Sequence, residues 1–159
     1  MISDRLLAEF DSIVRNYPVR RSALIPILLT TQEHLGYLSD ESIAAIARYL
    51  NLPAIDVYEV VTFYSMLRRH PVGKHHIQVC TNISCLLLGG EEIFERVSKR
   101  LGIKEGETTS DGQFSLAEVE CLGACCNAPA MQVNYTYYND LTAEKVDQIL
   151  QALQKPEER

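Results

Sequence analysis

The sequence contains no apolar run close to the roughly 20 residues that a helix needs to cross a bilayer. Its N-terminus, Met-Ile-Ser-Asp-Arg, lacks the charged and then apolar pattern of a secretory signal. Positive charge is also scarce: 15 Lys and Arg residues face 21 Asp and Glu residues, for a formal net charge of -6. These features disfavour nucleic acid or an anionic membrane surface as the main partner. We therefore expect a soluble globular protein of the reducing cytoplasm, without direct membrane contact.

Motifs of several familiar sites are missing as well. No glycine-rich phosphate loop follows a predicted strand, so a nucleotide or dinucleotide site has no support. No two cysteines are separated by two residues, as they are in thioredoxin-type redox motifs. The five cysteines are odd in number and fall in two short stretches of a chain long enough to bury a hydrophobic core. This pattern favours metal ligation over a disulfide framework.

The N-terminal half shows the three- and four-residue apolar spacing of amphipathic helices. Pro and Gly between the apolar stripes mark where helices begin and end. The pattern predicts a small four-helix bundle, with helices over about residues 4–15, 24–35, 40–50 and 54–67. We expect Phe63 and Tyr64 to lie in its core. His34 has no partner at ligand spacing, so a surface or capping role is expected for it.

A basic segment, residues 68–76, interrupts the helical pattern with Pro71 and Gly73. Its charge suits either a solvated linker or a patch that docks a partner. We place a domain boundary here, with a helical domain over residues 1–73 and a second domain over residues 74–159.

The second domain alternates strands and helices. Strands are predicted over residues 75–80 and 113–120, with a loop after the first strand and then a helix over residues 91–101. Two short extended pieces, residues 130–133 and 135–138, suggest a hairpin around Asn134, and Thr142 caps a final helix. Residues 155–159 are expected to be frayed. The fold class is therefore α+β, with a mixed four-stranded sheet in the second domain.

The cysteines lie where two of these strands end. A strand, a crossover helix and a second strand in one sheet are almost always parallel and right-handed, so both carboxyl ends meet at one edge. Cys80 and Cys85 would then lie beside Cys121 and Cys125, and four thiolates can converge. Such a set suits zinc or an iron-sulfur cluster. Spacings of four and three residues, with the small Gly123, favour a 2Fe-2S cluster, and a zinc-stabilised interaction module remains the alternative.

The motifs Cys-Thr-Asn-Ile-Ser-Cys at residues 80–85 and Glu-Cys-Leu-Gly-Ala-Cys-Cys-Asn-Ala-Pro at residues 120–129 are specific together. With Thr-Phe-Tyr at residues 62–64 and Pro-Val-Gly-Lys-His at residues 71–75, they resemble the thioredoxin-like ferredoxin subunit, the E subunit, of the NADH dehydrogenase module of bacterial respiratory complex I. The likeness extends from about Leu6 to Leu153.

The resemblance implies a thioredoxin-like second domain with one 2Fe-2S cluster on Cys80, Cys85, Cys121 and Cys125. It also implies a heterodimer with a flavoprotein that holds FMN and the NADH site, within the peripheral arm of NADH-quinone oxidoreductase on the cytoplasmic side of the inner membrane. The chain would carry single electrons while its partner oxidises NADH. The same subunit type occurs in NAD-linked hydrogenases and formate dehydrogenases, which stay open as hosts. Cys126 departs from the family pattern, and its position does not exclude it as a ligand in place of Cys125.

Overall fold

A computed structural model describes residues 2–154 of the chain. The chain divides into two compact units, Met1–Pro71 and Val72–Arg159, which we call the helical unit and the sheet unit. Each has its own cluster of buried apolar side chains. None of the helices within residues 2–154 is long and apolar enough to span a membrane. The predicted frayed tail lies outside the described residues.

The helical unit contains four α-helices in the order predicted: α1 (Asp4–Val14), α2 (Leu24–Leu35), α3 (Asp40–Leu50) and α4 (Ala54–Phe63). Serine hydroxyls begin two of them: Ser3 accepts a hydrogen bond from the Leu6 N–H, and Ser39 accepts one from the Ser42 N–H, each at 3.3 Å. These bonds satisfy amide groups that a helix start leaves free. A single 3-10 turn, Arg20–Ala23, precedes α2.

The fourth helix is shorter than predicted, because the chain leaves the helical conformation at Tyr64. The buried amide of Gln32 binds the segment that follows. Its Nε2 donates to the Met66 carbonyl at 3.0 Å, and its Oε1 accepts from the Arg68 N–H at 2.6 Å. Leu67 is still buried, although it lies outside the helix. A buried polar side chain thus supplies the hydrogen bonds that a longer helix would have made.

The prediction that Phe63 lies in the core is wrong, because its side chain is 80% exposed. Val57 and Val61 are four residues apart and face the core, whereas Phe63 falls two residues further on and points away from it. Tyr64 does pack against the core. His34 lies at the surface, as expected, with its Nε2 2.9 Å from Glu9 Oε2.

Part of the basic segment is bound within the helical unit. Arg69 donates to Asp40 Oδ1 at 2.8 Å, and its guanidinium lies 4.5 Å from the centre of the Tyr58 ring. Arg69 therefore attaches the end of this unit to α3 and α4 instead of standing free in a linker.

The sheet unit contains four strands and three helices in the described residues. They are β1 (His75–Cys80), α5 (Ile83–Leu87), α6 (Gly90–Leu101), β2 (Phe114–Val119), β3 (Met131–Val133), β4 (Thr136–Tyr138) and α7 (Ala143–Gln154). The strand order is β2-β1-β3-β4, with β1 parallel to β2 and the other two pairings antiparallel. The predicted α+β class and mixed four-stranded sheet are confirmed.

The core of the sheet unit surrounds the central strand β1. Ile77 and Val79 are fully buried there, and α6 and α7 add apolar side chains such as Val97 and Leu150. Thr142 accepts a hydrogen bond from the Lys145 N–H at 3.3 Å, so the predicted cap of the last helix is confirmed. The segment after β1 was predicted as a loop, but residues Ile83–Leu87 form a short helix, with Asn82 as its cap.

Candidate metal centre

The two cysteine loops leave the sheet side by side. Parallel pairing places Cys80 opposite Val119, so β1 and β2 end at the same edge. The Thr81 N–H donates to the Val119 carbonyl at 3.4 Å, and Cys80 Sγ lies 4.0 Å from the carbonyl oxygen of Glu120. The strand topology predicted from the sequence therefore brings the two loops into contact.

The first loop buries both of its thiols, with Cys80 4% and Cys85 3% exposed. Asn82 begins α5 by accepting a hydrogen bond from the Ile83 N–H at 2.8 Å, and Cys85 is the buried residue of this helix. An asparagine before an apolar run is a helix-start signal, and it was available in the sequence.

The start of α6 lies directly on the first loop. A Cβ atom at Gly90 would stand 2.9 Å from the carbonyl oxygens of both Cys80 and Cys85. Only glycine permits this approach without displacing the backbone that carries the two thiols. Gly90 is thus part of the architecture of the site, a role that the sequence pattern does not reveal.

The second loop is more open, and Cys121, Cys125 and Cys126 are all exposed. Gly123 takes a left-handed conformation with φ +71, and its N–H donates to Cys121 Sγ at 3.2 Å. The turn predicted at Gly123 therefore directs a backbone donor at sulfur, and such a hydrogen bond stabilises a thiolate. A single 3-10 turn, Cys125–Asn127, follows.

The hairpin and the segment after it hold the second loop from the other side. The Tyr137 hydroxyl donates to the Leu122 carbonyl at 3.2 Å. The Asp140 N–H donates to the Asn127 carbonyl at 2.8 Å, and the Leu141 N–H donates to the Pro129 carbonyl at 3.1 Å. Sequence reasoning missed these contacts, because they join residues more than ten positions apart and carry no spacing signal.

Burial raises the pKa of the Cys85 thiol, and the neighbouring Cys80 raises it further through a hydrogen bond and its charge. The charge of Cys125 acts in the same direction, whereas a backbone hydrogen bond involving Ala130 opposes it. The structure therefore brings Cys85 near thiols of both loops. Crowded, buried thiols resist ionisation by themselves, and a positively charged metal centre reverses that preference.

Among residues 2–154, no three His, Cys, Asp or Glu side chains are arranged to hold a single metal ion. An iron-sulfur cluster asks for a different donor set, four thiolates shared between its irons. The two loops offer four cysteines, a backbone N–H aimed at sulfur, and no histidine of the kind that a Rieske centre requires. The donor chemistry fits a 2Fe-2S cluster.

Comparison with known proteins agrees with this donor set. The sequence model of the thioredoxin-like [2Fe-2S] ferredoxins matches residues 10–154, and the chain belongs to that family. It is 46% identical over 150 residues to the E subunit of NADH-quinone oxidoreductase from Rickettsia bellii (strain RML369-C), covering 92% of this chain and 90% of the relative. It is 40% identical over 149 residues to an E subunit of the same enzyme, numbered 2, from Rhizobium meliloti (strain 1021), covering 94% and 89%. The resemblance inferred from the cysteine motifs is confirmed.

A solved structure shares the fold at lower identity. A chain of an NAD+-reducing [NiFe]-hydrogenase in the H2-reduced state superposes with a TM-score of 0.69 and 19% identity. The match covers 81% of this chain but only 22% of the hydrogenase chain. At this identity the likeness concerns the fold alone.

Proposed function

We propose that this chain is the electron-carrying subunit of an NADH-quinone oxidoreductase and holds one 2Fe-2S cluster. The observation that carries the proposal is the meeting of the two cysteine loops at the carboxyl edge of β1 and β2, with the first pair of thiols buried. When bound, such a cluster supplies one-electron oxidation and reduction.

Cys80 and Cys85 from the first loop, and Cys121 and Cys125 from the second, are the proposed ligands. For the fourth position, support for Cys125 over Cys126 comes from electrostatics, because the charge of Cys125 affects the Cys85 thiol. The Gly123 N–H would stabilise the Cys121 thiolate at 3.2 Å. Gly90 leaves room for α6 to close over the first pair.

The proposed partner is a flavoprotein subunit that carries FMN and the NADH site, so that NADH oxidation takes place in the partner and single electrons pass to and from this chain. The proposal places the pair in a peripheral arm on the cytoplasmic side of the membrane. Identities of 46% and 40% to subunits named for NADH-quinone oxidoreductase support this host. Hydrogenase is the weaker alternative, because only the fold is shared with the hydrogenase chain.

Anaerobic purification tests the cluster. We expect a coloured protein with two irons and two sulfides per chain, an oxidised absorption band in the visible region, and an electron paramagnetic resonance signal on one-electron reduction. A colourless protein with one zinc per chain would overturn the proposal and establish the zinc module instead.

Two single substitutions test the ligand set. Cys125→Ala should abolish the wild-type spectrum, whereas Cys126→Ala, its adjacent exposed control, should leave the spectrum and the iron content largely intact. The reverse result would transfer the fourth ligand to Cys126. Purification of the chain from its native host with the endogenous flavoprotein then tests the partner and identifies the host complex.

A further inference from the structure

The short helix α5 exposes an apolar face beside the candidate metal centre. Ile83 is 71% exposed, Leu87 78% and Leu88 60%, while Cys85 between them is 3% exposed. These side chains surround a buried thiol without joining the core. Contiguous apolar side chains on a surface usually mark an interaction site.

Negative charge borders this face without opposing charge in the same stretches of chain. Residues 77–95 and 105–144 contain no Lys or Arg. Glu91, Glu92 and Glu120 are exposed there. Glu91 and Glu118 line one cleft of about 420 Å³ together with Thr81, the residue after Cys80, so these carboxylates lie at the same edge as the cysteine loops.

Two of the unit's basic side chains are engaged elsewhere. Arg96 on α6 binds Asp147 on α7, and Lys99 binds Glu95 at 2.8 Å. They do not neutralise the edge that carries the cysteines. We call the set Ile83, Leu87, Leu88, Glu91, Glu92 and Glu120 the α5 surface.

We propose that the α5 surface is the docking face for the flavoprotein partner, whose matching face has an apolar centre bordered by Lys and Arg. The inference rests on the proposed function, because it takes the partner from there. An apolar centre with a charged rim is the usual anatomy of a protein interface. A second copy of this chain does not suit the surface, because a symmetric pair would bring like charges together.

Association kinetics test the proposal. The full-length, cluster-loaded chain and the separately purified flavoprotein are mixed over a range of salt concentrations. For Glu92→Gln/Glu120→Gln we expect association about three- to tenfold slower at low ionic strength, with the difference vanishing at high salt. Glu33→Gln/Glu105→Gln is the matched control, because it removes two exposed carboxylates elsewhere and changes the net charge equally.

The apolar centre is tested separately. Leu87→Ser should accelerate dissociation of the complex about tenfold, since loss of a buried leucine contact acts mainly on the dissociation rate. Val19→Ser, at a position 58% exposed in the helical unit, is its control and should leave the rate unchanged.

The outcomes separate the two proposals. If wild-type protein binds the flavoprotein but neither the glutamate pair nor Leu87→Ser alters the kinetics, the docking face is overturned and the partner stands. Equal slowing by both glutamine pairs would reduce the effect to net charge and would also overturn it. A self-associating chain that Leu87→Ser makes monomeric, with flavoprotein binding unchanged, would make a second copy the occupant. A cluster-loaded wild-type chain that does not bind the flavoprotein overturns the proposed partner, and the docking face with it.

Discussion

Asn134 and His76 are joined by two hydrogen bonds that extend the pairing of β3 with β1. The N–H of Asn134 donates to the His76 carbonyl at 2.9 Å, and Oδ1 of Asn134 accepts from the His76 N–H at 3.0 Å. The same side chain donates through Nδ2 to the Lys74 carbonyl at 3.0 Å. Asn134 also turns the chain from β3 to β4 with φ +54. One residue therefore forms the hairpin and fixes the start of the strand that ends at Cys80.

Asn134→Ala should destabilise the sheet unit by about 2–3 kcal/mol, because alanine pays about 1 kcal/mol for the left-handed conformation and loses two side-chain hydrogen bonds of about 1 kcal/mol each. Urea unfolding of the full chain, followed by hydrogen exchange in β1 and β3, measures the loss.

Asn134→Gly separates the two contributions. Glycine adopts positive φ freely but cannot make the side-chain bonds, so its cost should be smaller by about 1 kcal/mol. Equal costs for alanine and glycine would show that the backbone conformation does not contribute.

Gly90→Ala should prevent assembly of a stable cluster. The added methyl group would lie 2.9 Å from the carbonyl oxygens of Cys80 and Cys85, so α6 or the first cysteine loop must shift. We expect iron content to fall at least tenfold after anaerobic reconstitution, since misplaced ligands typically cost about 10- to 100-fold in metal affinity. Iron and sulfide analysis of the purified variant measures the effect.

Gly112→Ala is the control for this variant. Gly112 has φ +69, and a Cβ atom added there would meet nothing within 4 Å, so alanine costs about 1 kcal/mol in backbone strain without touching the cysteine loops. We expect reduced stability with normal iron content. Cluster loss in both variants would mean that general destabilisation, and not the contact at Gly90, governs assembly.

The elements of this fold that the sequence predicts well are those with a sustained period. Alternation in β1 and β2, and the three- and four-residue stripe in α6, lead to the parallel strand pair, and the pair brings Cys80 to the loop after β2. Such signals come from burial of one face, which the chain records locally.

Predictions fail where distant contacts decide the conformation. Phe63 extends an apolar pattern, yet the helix ends there because Gln32, 34 residues earlier than Met66, supplies the next hydrogen bonds. α5 is too short to show a period, and four apolar residues from 83 to 88 look like core although they are exposed. The ends of helices and the supports of loops depend on partners that periodicity does not identify.

Tyr137→Phe should loosen the second cysteine loop without unfolding the sheet unit. The substitution removes the hydrogen bond from the Tyr137 hydroxyl to the Leu122 carbonyl, which lies between Cys121 and Gly123. With a bond of about 1 kcal/mol lost, iron release to a chelator should accelerate about fivefold. The rate is followed by the bleaching of the visible absorption.

Tyr135→Phe provides the comparison, because Tyr135 is 51% exposed and Tyr137 49% in the same hairpin. It should release iron at the wild-type rate. If the two variants behave alike, the bond to Leu122 does not support the loop.

The ion pair between Arg96 and Asp147 makes the packing of α6 on α7 sensitive to acid. Arg96 Nε donates to Asp147 Oδ1 at 3.0 Å, and this hydrogen bond lowers the pKa of the Asp147 carboxyl below its ordinary value. A carboxyl with a lowered pKa in the folded state stabilises that state above its unfolded pKa. The contribution disappears as the pH falls through the folded pKa. The relevant range therefore begins near pH 4, the ordinary pKa of aspartate at about 3.9, and extends downward.

Asp147→Asn tests this linkage. The variant should unfold at lower urea concentration than wild type at pH 7, and the two midpoints should converge as the pH is lowered through about 4 to about 2, where the wild-type carboxyl becomes protonated. Salt should narrow the difference at pH 7, because the pair is partly exposed and its attraction is screened. Glu105→Gln, which removes one exposed carboxylate from a loop, is the charge-matched control and should show neither dependence. A midpoint difference for Asp147→Asn that stays constant between pH 7 and pH 2 would contradict the linkage, because it would assign the effect to packing at position 147 and not to the charge of the carboxylate.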